Sequence, residues 1–116
     1  MKLMTTQLET ALKNNVWDDN IPLREHPVFA LFVNPDNPYQ QWYVMDGRQL
    51  ANGDWILEGI VHILTWEYGS FYLSSLERIK LLQNSDIQTI ESVYNIPLHE
   101  AILQNGNHLK GYEFYL

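Results

Sequence analysis

A chain of 116 residues with 46% hydrophobic side chains is the length of one domain and can bury roughly two thirds of the surface its unfolded form exposes. The lack of cysteine excludes disulfides, thiolate metal sites and cysteine nucleophiles, and accords with a reducing cytoplasm. A net charge of −7, from 14 acids against 7 bases, repels nucleic-acid phosphate, so the expected partner is a protein, such as a basic nucleic-acid-binding one, rather than DNA or RNA itself.

Polar residues follow Met1–Met4 within a few positions, and the run from Ile60 to Leu64 is broken by His62. Neither a secretory leader nor a membrane span is expected. Thr6-Gln7-Leu8-Glu9 has the form of a capping box, and Leu8, Ala11 and Leu12 recur at helical spacing, which predicts a short helix over about residues 7–15. Pro22 and Pro27 keep the next segment extended. The apolar run from Val28 to Val33 predicts a strand buried on both faces, stopped by the turn Asn34-Pro35-Asp36-Asn37-Pro38. Gln41 to Met45 reads as the return strand and Asp46-Gly47 as the turn after it. A loop through Asn52-Gly53 leads into a long strand from Trp55 to about Thr65. Glu67 to Leu73 pairs back on it, with Gly69 marking a bulge or bend.

Ser74 can cap a helix whose apolar positions are Leu76, Ile79, Leu81 and Leu82. Ile87 to Tyr94 reads as a fifth strand, Pro97 opens a short last helix, and Tyr112 to Tyr115 suits an edge strand. The expectation is a single α+β domain over residues 1–116, an antiparallel sheet of about five strands flanked by three short helices. Leu31, Ile63, Phe71 and Leu76 are its expected core.

The stretch Glu67-Tyr68-Gly69-Ser70-Phe71-Tyr72-Leu73-Ser74-Ser75-Leu76-Glu77 resembles a family of small proteins from plasmids, phages and other bacterial mobile elements, catalogued as a domain of unknown function (number 2958). The same family pattern is matched by Met1–Thr5, by Asn34-Pro35 ahead of Trp42-Tyr43, by Gly59-Ile60-Val61, and by Ile90-Glu91 before Pro97-Leu98-His99-Glu100. The resemblance covers roughly residues 1–102. It departs at Ser70, an extra residue, and at Ser75 and Ser92-Val93, where the family carries charge. It implies a genomic setting rather than a chemistry: a mobile-element protein that acts by binding, for instance as an inhibitor of a host defence system.

No serine has a nucleophile-elbow context and no phosphate loop or dinucleotide glycine pattern is present, so a non-enzymatic role without a cofactor is expected. His26, His62, His99 and His108 are spread too widely for a metal signature, and His99-Glu100 is followed by Leu103 where a zinc-protease helix needs a second histidine. His62 is expected on an open or partly covered strand face. The expected binding residues are Glu58, Trp66, Glu67 and Tyr68. Glu58 and Glu67 either approach each other on one sheet face or stand outward to keep it wet. Trp66 and Tyr68 share strand parity, with Glu67 on the opposite face, and a bend at Gly69 would leave both aromatics uncovered as a contact patch. Such a patch suits a protein partner or a homodimer. The alternative is a small-ligand pocket made of the same aromatic and carboxylate groups. The competing assignment for the aromatics is that helices cover both sheet faces.

Overall fold

A computed structural model describes residues 2–79, 83 and 85–116. Helix α1 spans Thr6–Asn14. Its cap is Thr5, whose hydroxyl accepts the Leu8 amide at 3.1 Å, one residue before the cap expected at Thr6. Either threonine would leave Leu8 and Leu12 facing inward, so the apolar pattern alone does not choose between them.

The apolar run after Pro27 divides. Strand β1 (Pro27–Val28) pairs with β7 (Ile96–Pro97), whereas β2 (Ala30–Asn34) joins the main sheet. Both faces of β2 are buried, as its continuous hydrophobicity predicts. Asn34 ends β2 in an Asx turn, its Oδ1 accepting the Asp36 amide at 3.0 Å.

Strand β3 (Asn37–Gln49) passes straight through Asp46-Gly47, which is not a turn. The register with β4 (Trp55–His62) slips between Val44 and Asp46, a β-bulge that places one extra residue on β3. The chain reverses only at residues 50–54, where Gly53 takes a φ of 89°. Gly59, opposite the bulge on β4, is where the sheet requires a glycine: a Cβ there would lie 1.8 Å from the Tyr43 carbonyl oxygen. Strand β5 (Trp66–Tyr72) pairs with β4 without interruption, and Gly69 neither bends nor bulges. β4 ends at His62, sooner than expected, so Ile63 falls in the connection and is 46% exposed.

Helix α2 spans Leu73–Glu77. Its first amides are capped from outside by Asp54, which accepts the Ser74 amide at 3.1 Å and the Ser74 hydroxyl at 2.5 Å. The expected helix positions Leu81 and Leu82 lie outside the described residues. Of the strand expected over Ile87–Tyr94, two residues pair with β2 as β6 (Gln88–Thr89), and a 3-10 turn follows at Glu91–Val93. Helix α3 (Leu98–Asn105) begins after Pro97 as expected, and Tyr112–Tyr115 winds as a 3-10 helix instead of an edge strand.

Among the described residues, the order β5-β4-β3-β2-β6 makes a five-stranded antiparallel sheet with three α-helices, an α+β fold. Each face carries a core. On the first, Leu8 and Leu12 of α1 and Leu73 and Leu76 of α2 pack on Phe32, Trp42, Val44, Trp55 and Leu57. On the second, Leu98, Ala101 and Ile102 of α3 and Tyr115 pack on Leu31, Tyr43, Met45 and Ile60. Of the expected core residues, Leu31 and Leu76 are fully enclosed and Phe71 is half-buried against the first core, while Ile63 is not core at all. Among the described residues, no helix is long and apolar enough to cross a membrane.

Candidate functional site

The register of β4 and β5 decides which sequence-expected residues can cooperate. His62 faces Trp66, Ile60 faces Tyr68, Glu58 faces Ser70, and Val61 faces Glu67. Glu58, Trp66 and Tyr68 therefore share the second face with Ile60, and Glu67 points from the first. Glu58 and Glu67 form no carboxylate pair, because the pairing register puts them an odd number of positions out of phase.

Trp66 is not the exposed ring expected of it either. Its ring lies 6.0 Å from Tyr43, 4.9 Å from His62 and 5.7 Å from Tyr115, centroid to centroid, and is half-buried. The chain beyond α3 closes over it. A Cβ at Gly106 would meet the Trp66 Cη2 at 2.8 Å, so only glycine lets the end of α3 come this near. With Tyr112–Tyr115 wound as a helical turn, Tyr115 reaches the indole, and the sheet end expected to be bare is covered. Tyr43 beneath is anchored by donating its hydroxyl to Gln41 Oε1 at 2.7 Å, while Gln41 Nε2 donates to the Asn105 carbonyl at 2.8 Å.

Two positions further along β5 the cover ends, and Tyr68 is 47% exposed. Its hydroxyl donates to Glu58 Oε2 at 3.2 Å. Glu58 in turn is the direct register partner of Asp46, which the bulge brings onto the same face. Asp46 Oδ1 accepts the Gly47 amide at 2.9 Å and Asn15 Nδ2 at 3.1 Å, which fixes its carboxylate. Trp17, just beyond α1, stands edge-on to Tyr68 at 6.3 Å and stacks on His26 at 3.9 Å. Burial and the carboxylates of Glu58 and Asp46 push the Tyr68 hydroxyl up to about 12. Burial also lowers the His26 imidazole from its ordinary value, against the opposing pull of Asp18, Asp19 and Asp46.

The result is a face where four carboxylates stand near two aromatic rings. No ion pair joins Asp18, Asp19, Asp46 or Glu58 to a cation among the described residues. Carboxylates offer paired acceptors to a guanidinium or ammonium group, and Trp and Tyr rings offer π faces and apolar area beside it. Ile56 and Tyr72, register partners on this face, extend the surface as a half-buried aliphatic beside a 49% exposed aromatic.

The remaining candidates do not gather. His62 is buried, not open, and its Nδ1–H donates to the Tyr39 carbonyl at 2.6 Å. His108 Nε2 lies 3.1 Å from the Pro38 carbonyl, and His99 approaches Glu25 at 3.9 Å. No cluster of three or more His, Asp or Glu side chains able to hold a metal occurs among the described residues. A cleft of about 560 Å³ opens on the other side, between Leu3, Leu8, Phe29, Phe32 and Tyr94, and includes none of the four expected binding residues. Asp46 escaped the sequence reading because Asp-Gly is a turn signal. Only the excess length of β3 over its neighbours could have marked a bulge there. Comparison with protein-family models, curated proteins and solved structures finds no match to this chain.

Proposed function

We propose that this protein is a non-enzymatic, cytoplasmic binding module whose acidic and aromatic sheet face takes a basic segment of another protein. The observation that carries this reading is the side-by-side placement of Asp46 and Glu58, with no ion pair to either among the described residues, next to Tyr68 and Trp17. Like charges directly across a strand pair cost stability, and an incoming arginine or lysine turns that cost into attraction. The rings supply the apolar area on which interface energy concentrates.

The resemblance to the mobile-element family adds a setting to this reading: a plasmid or phage protein that occupies a host defence protein, whose nucleic-acid-binding surface would be basic. An acidic module competing for such a surface needs no catalytic group. Capture from a bacterial lysate, followed by mass spectrometry, tests it. Wild-type protein retains a basic protein that an Asp46→Asn/Glu58→Gln variant of unchanged fold does not retain. Equal retention by both refutes the reading.

A further inference from the structure

We propose that the outer edge of β5 is a homodimer seam, at which a second copy of this chain adds its own β5 antiparallel about a two-fold axis at Gly69. β5 is the last strand of the sheet, and among the described residues no strand pairs with its outer side. It offers seven residues in unbroken register, the form of edge that accepts another strand. The usual protections are missing: the strand Trp66-Glu67-Tyr68-Gly69-Ser70-Phe71-Tyr72 has no proline, no lysine and no bulge, and a single charge.

The occupant follows from self-complementarity. Outward-facing amides alternate along a strand, so two identical antiparallel strands can pair only with the axis on a residue, not between two. Gly69 is the central residue of β5, and an axis there pairs the whole strand. Glu67 then lies opposite Phe71 of the second copy, Tyr68 opposite Ser70, and Trp66 opposite Tyr72, so no like charges meet across the seam. Within one chain, neither backbone conformation nor crowding requires a glycine at position 69. Its φ is not in the left-handed region, and a Cβ there would touch nothing within 4 Å among the described residues. At the axis, two glycines leave the closest approach of the seam free of side chains.

The net charge of −7 on each chain opposes association, so the dimer strengthens as salt screens that repulsion. Binding of a basic partner weakens with salt, so the two readings fail separately. Sedimentation equilibrium of the full chain over a concentration series, at low and moderate salt, tests the seam. The wild type and Gly69→Ala pass from the mass of one chain to that of two, more readily at the higher salt. Gly69→Lys, which sets two ammonium groups against each other at the axis, stays at one chain with unchanged circular dichroism and a melting temperature that, unlike the wild type's, does not rise with concentration. Gly69→Cys, the only cysteine its chain would contain, cross-links under mild oxidation whereas Lys13→Cys does not. A wild type that keeps the mass of one chain at every concentration overturns the proposal, as does a dimer that survives Gly69→Lys with Gly69→Cys uncross-linked.

Discussion

Asp46 and Glu58 face each other directly across β3 and β4, and the hydroxyl of Tyr68 reaches Glu58 at 3.2 Å from the next strand. The arrangement sets two carboxylates together on a sheet face with no ion pair to either among the described residues. Asp46→Asn keeps an oxygen for the Gly47 and Asn15 donors while removing one charge. Its expected effect is a stabilisation of about 0.5 kcal/mol at low ionic strength, shrinking as salt is added, measured by urea unfolding. A loss of stability would mean that the charge itself holds β3 to α1.

Trp66 and Tyr68 share a face but not a role. Trp66→Ala removes the ring on which Tyr115 and Gly106 close, and should cost about 3 kcal/mol in chemical denaturation. Trp66→Phe should cost less than half of that, because it keeps much of the ring and discards an indole Nε1 that has no hydrogen-bond partner among the described residues. Gly106→Ala, whose Cβ would press on the indole, should destabilise by about 1–3 kcal/mol. Tyr68→Phe should stay within about 0.5 kcal/mol of wild type, since its ring is already half in solvent.

His26 gives the fold a pH dependence of known sign. Burial holds its folded-state value below the ordinary 6.5, so below that pH the unfolded chain binds the proton more readily than the folded one. Its stabilisation is complete above pH 6.5 and declines as the pH falls through the depressed value. Unfolding free energies between pH 7 and pH 5 should show this slope in wild type and a flatter one in His26→Gln.

Asp54 acts lower on the scale. The Ser74 hydroxyl and the Trp55 and Ser74 amides hold its carboxyl below the ordinary 3.8. Its contribution is present above pH 3.8 and lost as the pH falls through the lowered value. At neutral pH, Asp54→Ala should cost about 1 kcal/mol, the usual worth of a helix cap, with the loss read from thermal melts. Ser74→Ala should cost less, since the amide contact remains.

The sheet was readable in the sequence wherever apolar residues ran together. Strands β2 to β5, their meander order and α3 behind Pro97 all follow from runs and turn residues. What the residues conceal is the use of a signal in two ways. Asp46-Gly47 has turn chemistry but serves a bulge, because β3 must shift its register to bring Met45 and Asp46 onto one face. Gly69 looks like a bend, yet the glycine that the backbone requires is Gly59, whose reason is a carbonyl on β3 that is distant in sequence. The site suffered similarly. Tyr68 and Glu58 were identifiable from strand parity, but the cover over Trp66 comes from a segment some forty residues later whose short Tyr112–Tyr115 run suits strand and helical turn equally. Trp17 and His26 join the site through a stack between two loops, for which no local pattern exists.

The most direct test of the acidic–aromatic face is a titration of 15N-labelled protein with an arginine-rich peptide at low salt, followed residue by residue. The amides of Gly47, Glu58, Tyr68 and Tyr72, the Asn15 side-chain amide and the Trp17 indole N–H should shift together, and the shifts should vanish at high salt and in Asp46→Asn/Glu58→Gln. Absence of shifts, or shifts centred on the cleft between Leu3, Phe32 and Tyr94 instead, would contradict the account.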